Sequence, residues 1–120
     1  MADHNELGTT GENLALALLR KKGYSILAEN WRFGKYELDI VARIGDTMVF
    51  VEVKTRSTDS FGDPSQSVSR AKQKRTIEGA NAYLEKNGID LEARFDIISI
   101  VFSGGKTNLD HMEDAFFPMA

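Results

Sequence analysis

Leu14, Ala15, Leu18 and Leu19 recur at the spacing of one helix face, which predicts a helix over about 10–22. Arg20, Lys21 and Lys22 fill its last turn, and Gly23 stands where a C-terminal cap belongs. Residues 24–32 are mixed in pattern and read as extended, ending in Asn30-Trp31-Arg32 before Gly34 breaks the chain. Residues 36–44 and 47–55 both alternate and are rich in β-branched side chains. Gly45-Asp46 between them is a two-residue hairpin signal of type II′ or I′. A loop dense in Ser, Asp, Gly and Pro is expected over 56–67. A second helix follows over about 69–86, with Ile77, Ala80 and Leu84 as its apolar stripe and Asn87-Gly88 as its stop. Residues 95–102 read as a strand buried on both faces, Gly104-Gly105 as a turn, and 107–117 as a last short strand or edge element. The order αβββαββ makes a mixed α/β domain, 1–120, with a central sheet flanked by helices.

Composition narrows the chemistry. With 120 residues the chain has the length of one domain. No cysteine is present, which removes disulfides, thiolate metal sites and a cysteine nucleophile together. His4 and His111 lie too far apart for a local ligand pair. The longest apolar run, residues 14–19, is far short of a membrane span, and the polar start of the chain does not have the pattern of a signal or transit peptide. A cytoplasmic protein without a membrane partner is the expectation. Net charge is −3, which disfavours bulk electrostatic binding of nucleic acid. The charge is uneven, however. Residues 54–77 hold six Lys/Arg against two Asp, a balance of +4 that leaves −7 elsewhere. Such a segment is either a localised anion-binding surface or a solvated helix face.

The hairpin concentrates the candidate chemistry. If Gly45-Asp46 is the turn, cross-strand partners have numbers summing to 91, so Asp39 faces Glu52 and Glu37 faces Lys54. Four ionisable groups then share one end of one face, beside Met48 and Phe50. Leu38, Ile40, Ala42, Val49, Val51 and Val53 line the other face as core. Acids are depleted in strands, and like charges directly opposed are destabilising. A divalent cation would relieve them, and hard oxygen donors suit Mg2+ or Mn2+. A four-residue loop would instead set Asp39 against Phe50, with Glu52 diagonal. The bland reading is a solvated face on which Glu37 and Lys54 form an ordinary ion pair.

Asp39, followed after thirteen positions by Glu52-Val53-Lys54, resembles the core of the PD-(D/E)xK nuclease superfamily. More of the chain resembles the YraN family, small bacterial proteins usually described as predicted endonucleases and related to archaeal Holliday-junction resolvases. The likeness is carried by Glu12 with Ala15, by Asn30-Trp31-Arg32, by residues 36–41 and 49–56, by Arg94-Phe95-Asp96 and by Ala115-Phe116. The superfamily's proline before the acid is replaced here by Leu38. The resemblance implies a restriction-endonuclease-like fold and a Mg2+- or Mn2+-dependent endonuclease acting on DNA, branched or damaged. Asp39 and Glu52 would be metal ligands with the carbonyl of Val53. Lys54 would orient the attacking water and stabilise charge on the phosphate. Glu12 occupies the place of an acid that completes the site in related proteins, and Gln73, Lys72 and Arg56 would contact substrate. A chain this short has little surface to grip a duplex. A homodimer, a partner protein, or a non-catalytic nucleic-acid-binding module that retains the nuclease fold is the competing expectation.

Other residues divide between two roles. Thr9-x-x-Glu12 fits a capping box, whereas the stripe Glu12, Ala15, Leu16 and Leu19 turns Glu12 towards the buried side. Trp31 suits the core or a nucleic-acid stack. Asp96 reads as a structural acceptor for Arg94 or a backbone amide, and His111 as a surface or partly buried residue.

Overall fold

A computed structural model describes residues 4–57 and 68–118, the side chains of 4–9 aside. Helix α1 (His4–Lys21) leads into strands β1 (Ser25–Phe33), β2 (Tyr36–Ile44) and β3 (Thr47–Arg56). Helix α2 (Arg70–Lys86) then crosses over to β4 (Glu92–Ser103) and β5 (Lys106–Phe116). The five strands lie in the order β1-β2-β3-β4-β5, all antiparallel except the β3–β4 pair, which α2 connects in parallel. This is the expected αβββαββ arrangement. The loop expected over 56–67 lies outside the described residues from 58 onward. Among the described residues no helix is long and apolar enough to cross a membrane.

Local signals set the element ends. α1 stops at Gly23, whose φ of +93° lets Gly23 N–H reach Arg20 O and Tyr24 N–H reach Leu19 O, both at 3.0 Å. This double bond pattern satisfies two carbonyls that the helix end would leave open. Ser69 caps α2 by accepting from Lys72 N–H at 3.1 Å. At the hairpin Gly45 takes φ +57°, while Asp46 is not among the positive-φ residues, the pattern of the II′ alternative. α1 begins at His4, earlier than its apolar stripe suggested.

The sheet is packed on both sides. Against α1, residues Ala15, Leu16 and Leu19 meet Ile40, Ala42, Val49, Val51, Ile98 and Ile100. Against α2, Ala80 and Tyr83 meet Leu38, Val41, Met48, Phe50, Phe95 and Ile97. Leu38 corrects the sequence reading, which placed it on the face of Ile40. Strict alternation would put it there, yet it packs on the α2 side with its cross-strand partner Trp31. The phase slips between Ile40 and Leu38, at Asp39. On β1 it slips at Asn30, the residue that the same register sets across from Asp39, and Asn30 has φ +49°.

Candidate functional site

The β2–β3 ladder follows the expected register from Ile44↔Thr47 to Ile40↔Val51. The next backbone donor on β3 that faces β2, Val53 N–H, is taken by the Asp39 side chain, with Oδ2 accepting at 2.9 Å. Asp39 therefore reaches sideways into the gap between the two strands instead of standing on the sheet face beside Glu37. A strand residue points its N–H and C=O towards the same neighbour. The Val53 carbonyl thus looks into the gap that Asp39 occupies.

Glu52 is 5% exposed and hydrogen-bonded to Asp39. Burial, followed by the Glu52 charge, pushes the Asp39 carboxyl from 3.8 up to about 7; the Val53 N–H and the charge of Lys72 pull it back, and Glu12 adds to the rise. Burial also raises Glu52, against the opposing pull of Lys72, Lys54 and the Asp39 hydrogen bond. Both acids are thus raised, and each holds its proton more tightly than a free carboxyl does. Lys72 Nζ lies 3.2 Å from Glu52 Oε1. Burial lowers the Lys72 ammonium, but the charges of Glu52, Asp39 and Glu37 outweigh it and the net direction is up.

The other sequence-derived residues fall around this pair. Lys54 acts on Glu52 through its charge and makes no ion pair with Glu37, whose partner is Arg32 at 3.6 Å on the exposed surface. The bland reading of a Glu37–Lys54 pair is thereby removed. Glu12 comes from α1, where its charge acts on Asp39 and its Oε2 accepts from Asn30 Nδ2 at 3.1 Å. It lies well inside the helix, so the capping box with Thr9 does not form. Arg56 ends β3, which continues far enough to keep it on the face of Glu52 and Lys54. Gln73 turns back to donate to Val68 O at 3.1 Å, away from the acid pair. Lys74 and Arg75 are exposed.

Three contributors escape sequence reasoning. Asn30 holds Glu12 from a left-handed conformation that Asn tolerates better than most residues. Gly11 lets α1 lie on β3: a Cβ there would run into Thr55 Oγ1 and stand 3.1 Å from Thr55 Cγ2. Ser99, level with Lys54 on the neighbouring strand, is 2% exposed, and its hydroxyl has no hydrogen-bond partner. The first is hinted at only by its place beside Trp31-Arg32; the other two carry no local signal.

Among the described residues no three His, Cys, Asp or Glu side chains converge as a self-sufficient metal cage. The donor set at the gap is two carboxyls and one carbonyl. That set suits Mg2+, which is commonly held by one or two carboxylates and keeps several waters. The chemistry open to the pair is to hold such a cation or to pass a proton.

A second polar cluster lies on the α1 side of β4. Asp96 is fully buried and accepts from Arg94 Nε at 2.9 Å and Arg94 Nη2 at 2.8 Å. It also accepts from Asp114 N–H at 3.0 Å and contacts His111 Nε2 at 2.7 Å. Asp96 thus serves both structural roles expected of it. His111, read from sequence as a bystander, is one of its partners. Burial pushes the Asp96 carboxyl up, but the bonds from His111, Arg94 and Asp114 outweigh it and hold it below the usual range.

Residues 11–100 match the profile described as Uncharacterised protein family UPF0102. The UPF0102 protein of Bacteroides thetaiotaomicron is 48% identical over 118 residues, covering 98% of both chains. That of Christiangramia forsetii is 46% identical over 117 residues, again 98% of both. UPF0102 protein FP2501 of Flavobacterium psychrophilum is 47% identical over 117 residues with the same coverage.

Proposed function

The chain belongs to the UPF0102 family, the YraN group whose motifs its sequence carries, and on that premise we propose that it is a metal-dependent endonuclease. It hydrolyses phosphodiester bonds in DNA, branched or damaged, and acts in the cytoplasm. One observation supports the reading: a buried Glu52 and a half-buried Asp39 are brought together where the β2–β3 ladder opens. A fold gains nothing in stability from two adjoining carboxylates drawn out of water. They make sense as donors for a cation that neutralises both.

Asp39, Glu52 and the Val53 carbonyl would hold Mg2+ or Mn2+. Such an ion, when bound, polarises the scissile phosphodiester and makes a coordinated water more acidic. Lys54, on the strand face of Glu52, orients the attacking water and offsets the charge that builds on the phosphate. Glu12, held by Asn30, would add a third carboxylate from α1, placed to act as a general base. Arg56, at the end of β3, and Lys72, on the first turn of α2, would contact the phosphate backbone, and Gln73 could do so only after releasing Val68 O. Contacts of this kind position nucleic acid without reading its sequence.

The test is cleavage by purified protein, with Mg2+ or Mn2+, of linear, nicked, flapped and four-way DNA and of RNA. Asp39→Asn and Glu52→Gln should abolish both cleavage and Mn2+ binding. Failure to cut any of these substrates sinks the hydrolytic reading. The net charge of −3 favours one alternative, a nucleic-acid-binding module that works as a homodimer or with a partner protein. Metal binding without cleavage points to a missing partner or substrate, whereas the absence of metal binding favours the module.

A further inference from the structure

We infer that Lys72 is the resident counter-ion of the acid pair, occupying Glu52 until a divalent cation displaces it. The inference rests on the metal-site reading above and concerns what that site does before metal arrives.

Geometry makes Lys72 the movable member. Glu52 sits in a central strand and is 5% exposed, and Asp39 is tied to Val53 N–H at 2.9 Å. Lys72 reaches Glu52 Oε1 at 3.2 Å with a side chain 45% exposed, so its stem can swing to solvent without opening a cavity. Its backbone stays in place, because Ser69 caps its N–H and α2 docks tightly. At Gly79 a Cβ would lie 3.2 Å from Tyr36 Cβ and 3.3 Å from Leu38 Cδ2.

The helix supplies an independent argument. The first turn of α2 carries Arg70 and Lys72 and no acidic residue. Cations at a helix N-terminus oppose the helix dipole. Lys72 is held in this unfavourable place by Glu52, with the charges of Asp39 and Glu37 assisting. A doubly charged ion between Asp39 and Glu52 removes that attraction and adds repulsion. The ammonium then leaves, driven by both the ion and the helix end, and is free to meet a phosphate.

The experiment measures Mn2+ binding directly, by equilibrium dialysis with electron paramagnetic resonance of the free ion, at pH 8.5 so that protons compete little with the metal. Lys72→Met should bind Mn2+ about tenfold more tightly than the native protein, the scale of one charge-assisted contact removed from the competition. Lys72→Arg, which keeps the charge, should bind like the native protein. Equal or weaker binding by Lys72→Met, where the native protein binds, overturns the inference and leaves the metal site standing. No binding by any of the three overturns the metal reading, and this inference with it. A measurement on the native chain guards against a misfolded variant: amine labelling read by mass spectrometry. Mn2+ should speed modification of Lys72 several-fold relative to Lys74. A Lys72 rate unchanged or slowed by bound Mn2+ counts against displacement.

Discussion

Replacing Asp39 with Asn removes one charge from the acid pair and keeps its shape. The amide oxygen can still accept from Val53 N–H, and the amide nitrogen can donate to Glu52. In the native protein burial, then the neighbouring Glu52 charge, raises the Asp39 carboxyl from 3.8 to about 7. A carboxyl raised in this way holds its proton more tightly folded than unfolded. Its contribution to stability is complete below the unfolded value and is lost as pH climbs from about 4 to about 7. Taken alone, a rise of that size corresponds to about 4 kcal/mol. Glu52 is raised in the same direction, so a loss of at least ~2 kcal/mol is expected of metal-free protein across this window. Asp96 does not enter, because its carboxyl is lowered and its contribution is lost only on acidification. Thermal melts in EDTA should therefore fall by at least about 8 °C from pH 5 to pH 8, at about 4 °C per kcal/mol for a domain of this size. Asp39→Asn should flatten the curve and melt above the native protein at pH 8. Mn2+ should restore the native protein at pH 8 and leave the variant unmoved. A native curve that is flat or rises with pH, or a variant that melts lower at pH 8, would mean that the two carboxyls do not destabilise the fold when ionised.

Gly11→Ala should lower stability by about 1–2 kcal/mol despite the better helix propensity of Ala, since the new Cβ meets the Thr55 side chain. The double variant with Thr55→Ala should recover most of the loss in denaturant melts. Asp96→Ala should cost about 3–5 kcal/mol by stranding Arg94 and an amide in the interior, with Mn2+ affinity retained wherever the variant folds. Asn30→Gly and Asn30→Ala both remove the bond to Glu12 and should weaken Mn2+ binding alike. Only the Ala variant should lose stability, about 1 kcal/mol, because it must also adopt φ near +49°. Equal melting temperatures for the two Asn30 variants would separate the strain from the contact and contradict this account.

How far the chain could be read in advance depended on the range of the interaction. The hairpin register is local: Gly45-Asp46 and the alternation on either side fix it, and five cross-strand pairs obey it. The helix stops are local too, set by Gly23 and by Asn87-Gly88. The side to which Leu38 turns is not, because it follows a slip at Asp39 matched by one at Asn30 on the neighbouring strand. The partner of Glu52 is not either. Lys54 is the obvious cation by spacing, yet Lys72 wins the contact through the crossover that lays α2 on the sheet. His111 reaches Asp96 only because β5 folds back beside β4 with a shift in register. Alternation along one strand cannot report the backbone of its neighbour.

Trp31 is the chain's only tryptophan, and its indole meets the Tyr83 ring of α2 nearly edge-on at 5.3 Å. Its emission is therefore an intrinsic optical gauge of whether that helix is seated. Since the same helix delivers the ammonium to Glu52, unseating it would shift the fluorescence to longer wavelength without any attached dye. A lysine that swings out while the helix stays in place would leave the colour of that emission unchanged, so the two kinds of movement are distinguishable in a stopped-flow trace.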